Sequence, residues 1–328
     1  MIKQTALKLL LGADVFSLFR FLNRSKMPIL MYHRFSESEE FGKTSRKAFE
    51  THLKYLTRHY KIISLTDAVR YLADGEELPN RTAVLTIDDG YRDFYDVAFP
   101  ILREFDLPAT IYVVTGFLDR TCWIWTDKAR YLLTETKLDR LSFTIGERFF
   151  DEILGDTDSR LALAGKINSE LKKLSDSEKD RVLNELANSL SVHLDETPPS
   201  AFGPITWDQA REMAAAGIEI GSHTVNHPIL TNVDADALTE ELSVSRTVLE
   251  GQLQTDNLHF CYPNGNVSQR ERDAAENAAY ASAVTTKIRI CERSDDRFLL
   301  PRIDAEPEIE RLIQSTSGFD AFKAKYRP

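Results

Sequence analysis

The sequence predicts an α/β fold in which strand–helix units repeat around a parallel sheet, open or closed into a barrel, with one helical insertion. Three observations carry this reading. From residue 28, short β-prone runs alternate with segments of helical periodicity. Two of the runs end in polar clusters, TIDDG at 86–90 and SHTVNH at 222–227, and such folds gather their chemistry at the carboxyl ends of strands. Between about 119 and 203 the alternation stops and a charged stretch rich in Leu, Lys, Glu and Asp takes over.

The elements follow in order. Residues 29–32 read as a short strand, and 46–59 as a helix with Phe49, Leu53 and Leu56 on one face. Residues 62–65 read as a strand, with Thr66 and Asp67 capping the helix after it. Residues 84–87 form a strand, 93–105 a helix ended by Pro108, and 109–114 a strongly β-prone strand. LKKLSDSEKDRVLNELANSL, at 171–190, is amphipathic, and the whole stretch 119–203 is expected to be mostly helical. The rhythm returns with a helix at 206–216 stopped by Gly217, a strand at 218–222 and a helix at 236–253. A strand at 258–262, a helix at 269–279 and strands at 281–286 and 298–303 complete it. The organisation is therefore an N-terminal segment (1–27), a main domain (28–118 and 204–306), the insertion (119–203) and a C-terminal helix or tail (307–328).

Composition narrows the function. The 328 residues are 42% hydrophobic, enough for a large core, and the formal charge of −10 excludes a general nucleic-acid binder, which needs a basic face. Cys122, Cys261 and Cys291 are odd in number and far apart, so no disulfide framework or CxxC metal site is indicated. The N-terminal apolar run is broken by Lys8 and Asp14 and no small-x-small cleavage site follows, so neither a signal peptide nor a membrane span is expected. Leu7, Leu10, Leu11, Val15, Leu18 and Leu22 instead recur at helical spacing beside Lys3, Lys8, Arg20, Arg24 and Lys26. An amphipathic helix over 5–22 either lies on a membrane surface as a peripheral contact or packs on the domain. The expected location is cytoplasmic or membrane-peripheral, with the periplasmic side left open.

Asp88 and Asp89 pose the chemical question, because adjacent carboxylates repel at the end of a buried strand. His223 and His227, four positions apart, would face the same way on one turn of helix. With one carboxylate they suit a two-His, one-carboxylate metal site that keeps open positions for water. A cation there removes the cost of the repulsion and leaves the second Asp free to act as a base.

These motifs are familiar together. TIDDG resembles the T-F-D-D-G motif of the polysaccharide deacetylases, carbohydrate esterase family four, and SHTVNH resembles that family's H-S/T-x-x-x-H motif. PILMYHR (28–34) looks like the start of the subgroup that includes poly-N-acetylglucosamine deacetylases. YPNG (262–265) sits where the family has a Pro-aromatic-Gly loop, and LPRID (300–304) matches the subgroup's closing strand. The resemblance implies a distorted (β/α)7 barrel and metal-dependent hydrolysis of an acetamide on an N-acetylated glycan. By position, Asp89, His223 and His227 would hold a divalent metal, with zinc expected and cobalt, nickel or manganese as alternatives. Asp88 would be the general base. The backbone N–H of Asn264 would help hold the oxyanion, with Tyr262 beside it.

The departures are as informative. No histidine follows residue 259, so the acid role of the family's C-terminal histidine falls, as in the matching subgroup, to His33, expected across the metal from Asp88. Cys261 stands where the family has the Arg that pairs with the base. Arg302, with Asp304 beside it, is either its substitute or half of a surface ion pair. Asn264 replaces an aromatic residue, so a sugar ring would lean on Tyr91 or Trp207. Trp123 and Trp125 either line a sugar cleft or, as the favoured reading, anchor the insertion. An O-acetyl esterase and a non-catalytic carbohydrate binder are the rival functions.

Overall fold

In the computed structural model, which describes residues 11, 14–73 and 78–325, the alternation resolves into seven parallel strands that close on themselves. They are β1 (Ile29–Tyr32), β2 (Thr82–Ile87), β3 (Thr110–Val113), β4 (Glu219–Ser222), β5 (His259–Cys261), β6 (Ser282–Ile288) and β7 (Leu300–Asp304). Each strand pairs with the next, and β1 pairs with both β2 (Ile29↔Val84 to Tyr32↔Ile87) and β7 (Leu30↔Ile303). The result is a (β/α)7 barrel. It is distorted between β6 and β7, where the register shifts between Val284 and Ile288.

Strand side chains alternate between faces. One set, including Leu30, Leu85, Ile87, Ile111 and Phe260, packs outward with Phe49, Leu53, Leu56 and Phe94. The other set, Ile29, Val84, Tyr112, Cys261, Val284 and Leu300, fills the barrel. Counting on by twos, the inward parity reaches Thr86 and Asp88 after β2, Arg302 on β7 and His33 after β1. Gly221 takes part in this packing, because a Cβ there would lie 2.6 Å from the Tyr112 ring. Leu65, Ala68 and Val69 of the helix Leu65–Ala73 join the inner cluster.

Three expectations need correction. The strand expected at 62–65 spans only Lys61–Ile62, because Leu65 already begins a helix. Its N-terminus is served by Ser64 Oγ, which accepts from the Asp67 N–H, and by the Glu219 carboxylate, which accepts from the Leu65 and Thr66 N–H groups. Thr66 and Asp67 are not the caps. The insertion is not wholly helical: Arg140–Ile145 and Arg148–Ile153 pair as an antiparallel hairpin. Leu141, Ile145 and Phe150 of the hairpin are buried with Leu132, Leu163, Ile167, Leu183 and Leu186 of three helices, so the insertion has a core of its own.

The helix Val15–Leu22 packs on the domain. Phe16 and Phe19 meet Phe319 edge-on, and Asn23 Nδ2 donates to the Ser317 carbonyl. Its other face leaves Leu18, Phe21 and Leu22 exposed. Residues 5–10, 12 and 13 of the expected helix lie outside the described residues. The C-terminal segment forms the helices Ile309–Ser317 and Phe319–Lys325. Among the described residues no helix is long and apolar enough to cross a membrane.

His52 supports the outer layer as a neutral imidazole. Its Nε2 lies 3.0 Å from the Pro307 carbonyl and its Nδ1 3.2 Å from the Tyr32 hydroxyl. The carbonyl calls for a proton on Nε2, and the hydroxyl can donate to a bare Nδ1. Burial lowers its pKa from 6.5 to about 4. The unfolded chain therefore binds a proton that the folded chain refuses between those values, and stability falls as pH drops from 6.5 to 4. Chemical denaturation across that range should show a shallower pH slope for His52→Gln than for the wild type.

Candidate active site

The turn after β2 aims two adjacent carboxylates in different directions. Asp88 keeps the inward strand parity, and its N–H still donates to the Tyr32 carbonyl. The chain then turns sharply, with Asp89 at φ 80° and Gly90 at φ 81°. A Cβ on Gly90 would press on Val113 at 3.1 Å in a left-handed backbone, so glycine is required there. Asp89 tolerates the left-handed region better than most residues. The reversal separates the carboxylates that the sequence places side by side.

Asp88 is fully engaged. Arg302, entirely buried, donates Nη1–H to Oδ1 at 2.6 Å and Nη2–H to Oδ2 at 2.7 Å. A third donor, Nε–H, is taken by the Thr285 carbonyl, and Nη1 also reaches Thr86 Oγ1. Burial raises the Asp88 pKa, but the charge and hydrogen bonds of Arg302 outweigh it, and the net shift is downward. Arg302 is thus half of a buried pair with Asp88 and not of a surface pair. Cys261 Sγ fills the remaining space, 3.5 Å from Asp88 Oδ2 and 3.2 Å from Arg302 Nη2.

Asp89 faces two imidazoles. Its Oδ1 lies 3.5 Å from His223 Nε2 and 3.4 Å from His227 Nε2. Three ligands about 2.1 Å from one tetrahedral ion stand about 3.4 Å apart, so the spacing fits a shared cation. His223 Nδ1 lies 2.7 Å from the Cys261 carbonyl, which fixes its proton there and turns the Nε2 lone pair toward Asp89. Burial lowers the His223 pKa to about 4, so the ring is neutral and available as a ligand at ordinary pH. The grouping of Asp88, His223 and Cys261 is also close enough for an ion. Its donors suit one poorly, because both Asp88 oxygens are bonded and burial pushes the thiol pKa well up.

The two histidines do not share a helix turn, as the spacing predicts. They sit on a loop after β4, with Thr224 at φ 73° and His227 at φ 58°. The loop is held by groups that motif reading missed. Glu241, from the helix Ala235–Leu253, accepts from the N–H groups of Val225 and Asn226 and from the Asn226 amide, and the His227 N–H donates to Thr224 Oγ1. Nothing in the sequence marks Glu241, fourteen positions downstream of His227. The loop has no ladder of helix bonds here, so these side-chain contacts replace it.

His33 reaches the cleft with its side chain 44% exposed and Nε2 3.7 Å from Asp88 Oδ2. The expectation that a metal would separate the two is not met: His223 and His227 converge on Asp89, and His33 stands directly beside Asp88. Asn264, at φ 59° on the turn after β5, is half-buried. Tyr262 is core rather than lining, with its hydroxyl on the Phe298 carbonyl and its ring against Phe260. Tyr91 is also withdrawn from solvent. Its hydroxyl donates to Asp127 at 2.5 Å, and the Arg34 guanidinium stacks 4.0 Å from its ring centroid. Trp207 is half-buried, with its indole N–H on Asp119, and the Asp304 side chain is exposed at the barrel rim. Trp123 and Trp125 are buried at the base of the insertion, as the anchoring reading expects.

A family model described as polysaccharide deacetylase matches residues 75–283. The chain belongs to the polysaccharide deacetylase family. YxkH of Bacillus subtilis (strain 168), named for the same family, is 22% identical over 299 residues, 91% of this chain and 76% of its own. The poly-beta-1,6-N-acetyl-D-glucosamine N-deacetylase of Staphylococcus aureus (strain MSSA476) is 33% identical over 85 residues, 25% of this chain and 29% of its own. The Streptococcus pyogenes deacetylase PplD, solved in complex with acetate, superposes with a TM-score of 0.60 at 23% identity, over 89% of this chain and 98% of that one. IcaB from Ammonifex degensii gives 0.57 at 17% identity, over 90% and 97%. These likenesses bear out the barrel and the family.

Removing Arg302 leaves a buried carboxylate without its counter-charge, which costs about 3–5 kcal/mol. Arg302→Met should lose about that much in urea unfolding at pH 7. The loss should shrink at pH 5, where the unpaired Asp88 can take up a proton. A loss independent of pH would mean that Arg302 contributes packing alone.

Proposed function

We propose that the protein is a metal-dependent N-deacetylase of an N-acetylated polysaccharide or of its glycan precursor. The observation that carries this reading is the division of labour between adjacent carboxylates: Asp88 is clamped by Arg302, while Asp89 faces His223 and His227. Asp89 Oδ1 and the two Nε2 atoms are the groups that would hold the ion, and their donor types and spacing suit Zn²⁺. A divalent cation there supplies Lewis acidity that polarises the acetyl carbonyl and acidifies a water.

The chain's own residues do the rest. Asp88, held ionised and oriented by Arg302, accepts the proton of the attacking water as its oxygen bonds to the acetyl carbon. That a lowered carboxylate pKa makes a weak base explains why acidification of the water is needed. The Asn264 N–H, on the turn after β5, would stabilise the oxyanion. When the C–N bond breaks, the amine must leave protonated, and His33 is the group at the rim that can deliver that proton. The products are acetate and a free amine on the sugar. An N-acetylglucosamine polymer is the substrate class suggested by the names of the relatives.

Release of acetate from β-1,6-linked N-acetylglucosamine oligomers is the direct test. Chelation should abolish it and Zn²⁺ should restore it. Asp88→Asn should retain the metal and lose about 10²–10⁴-fold in rate. Acetate released only from O-acetylated glycans would replace this reading with an esterase. No acetate and no bound metal would replace it with a sugar-binding protein.

His33→Ala separates proton donation from scaffolding. Its rate on amides should fall by about 10²-fold or more, with metal content unchanged, while activated esters should suffer much less. Equal losses on both substrates would assign His33 a structural role.

A further inference from the structure

The helix Val15–Leu22 packs on the domain with only one of its two faces. Phe16, Phe19 and Asn23 share the inner arc, where they meet Phe319 and the Ser317 carbonyl. At 3.6 residues per turn, Leu18, Phe21 and Leu22 fall together on the opposite arc. Each of the three is at least half exposed. Phe322, its ring 5.2 Å from that of Phe19 and itself about half exposed, widens the patch. Single exposed apolar residues are ordinary, but three at i, i+3 and i+4 on one helix make a contiguous surface.

Cations gather beside this surface, although the chain as a whole carries a formal charge of −10. The Arg24 guanidinium lies 4.5 Å from the Phe21 ring centroid. Arg20 donates to the Tyr55 hydroxyl on the helix Arg46–His59. Arg81 is tied to the end of the N-terminal segment by its N–H, which donates to the Arg24 carbonyl. Burial lowers the His59 pKa, and the Arg20, Arg58 and Arg81 guanidinium groups lower it further, while Asp14 acts against them. Three cations and one carboxylate thus act on one ring beside the helix. Lys26, by contrast, is answered by Glu292 at 2.8 Å.

We propose that this face docks the protein on an anionic lipid surface. Exposed Leu and Phe side chains flanked by arginines match the boundary between acyl chains and headgroups, where the apolar groups sink and the guanidinium groups stay at the level of the phosphates. A second copy seated on the same patch would set arginine against arginine, because a two-fold contact brings identical surfaces together. The arginines therefore favour an anionic bilayer over self-association. The helix enters the barrel at the amino ends of β1 and β2, as the bond between Arg81 and Arg24 shows. His33 and Asp88 follow the carboxyl ends of the same strands, so the cleft lies at the end of the barrel opposite the docking helix. The inference does not depend on the deacetylase reading, since no residue of the patch belongs to the candidate active site.

Co-sedimentation of the full chain with lipid vesicles tests this, using phosphatidylcholine alone and phosphatidylcholine mixed with phosphatidylglycerol. The mixed vesicles should bind at least about tenfold more tightly. Raising the salt to about 1 M, where charges are screened within about 3 Å, should remove most of that difference. Leu18→Ser combined with Leu22→Ser should weaken binding to the mixed vesicles by about tenfold or more, through the lost apolar area. Arg24→Gln combined with Arg58→Gln should weaken it by about fivefold for each charge removed. All four side chains are exposed, so the variants should keep the wild-type melting temperature. Equal binding of the wild type to both kinds of vesicle overturns the proposal whatever the variants do. Binding to the mixed vesicles that neither pair of substitutions weakens also overturns it. Self-association of the wild type that Leu18→Ser and Leu22→Ser abolish, with no vesicle binding, would assign the face to a second copy instead.

Discussion

The bidentate pair between Arg302 and Asp88 is the interaction on which the site is built. It places two full charges inside a parallel barrel, where desolvation would be prohibitive for either alone. The two donor–acceptor bonds at 2.6 and 2.7 Å, with Thr285 and Thr86 taking further guanidinium donors, leave little of that charge unanswered. Position follows from this. A carboxylate gripped through both oxygens cannot swing toward Asp89, so the neighbouring Asp is left to the histidines. Cys261 completes the arrangement as a small, neutral filler where a second cation would have crowded Arg302.

The insertion is joined to this centre at several points. The turn after Gly90 is bonded to the returning chain, with Arg92 N–H on the Gly203 carbonyl and Ile205 N–H on the Gly90 carbonyl. The Tyr91 hydroxyl is held by Asp127 from the insertion's first helix, and Arg34 lies over the same ring while bonding Asp93 and the Ala201 carbonyl. The insertion therefore supports the Asp88–Gly90 turn from outside the barrel, in addition to burying a core of its own.

Much of the barrel was legible because its signals are local. Apolar runs such as 83–87 and 109–114 mark strands, and the first of them ends in a polar cluster. The grouping of Asp89, His223 and His227 was legible from two short motifs read together. What was not legible depends on contacts distant in sequence. The weight of Arg302 could not be decided from LPRID alone, because a partner 214 positions away determines whether it is surface or core. Glu241 carries no motif. The backbone of SHTVNH was misread because spacing by four is shared by a helix turn and by a loop bent at Thr224 and His227. Tyr91 and Tyr262 were expected at a ligand because tyrosines flank the motifs, yet both spend their hydroxyls on buried protein acceptors. The hairpin at 140–153 was missed because charged residues at its exposed positions resemble those of the surrounding helices.

The circular strand order gives the catalytic centre a late birth. His33 follows the first strand, Asp88 the second, and Arg302 lies on the last, which seals the barrel against the first. A chain emerging from the ribosome carries Asp88 long before its counter-ion has been made. Until residue 302 arrives, the carboxylate has to remain hydrated, and the barrel around it cannot close dry. Nearly every other strand can pair as it is synthesised, but the seam that buries the charge must wait for the strand that carries residue 302. The same long-range closure that makes the finished site rigid therefore favours slow, late consolidation of the nascent protein.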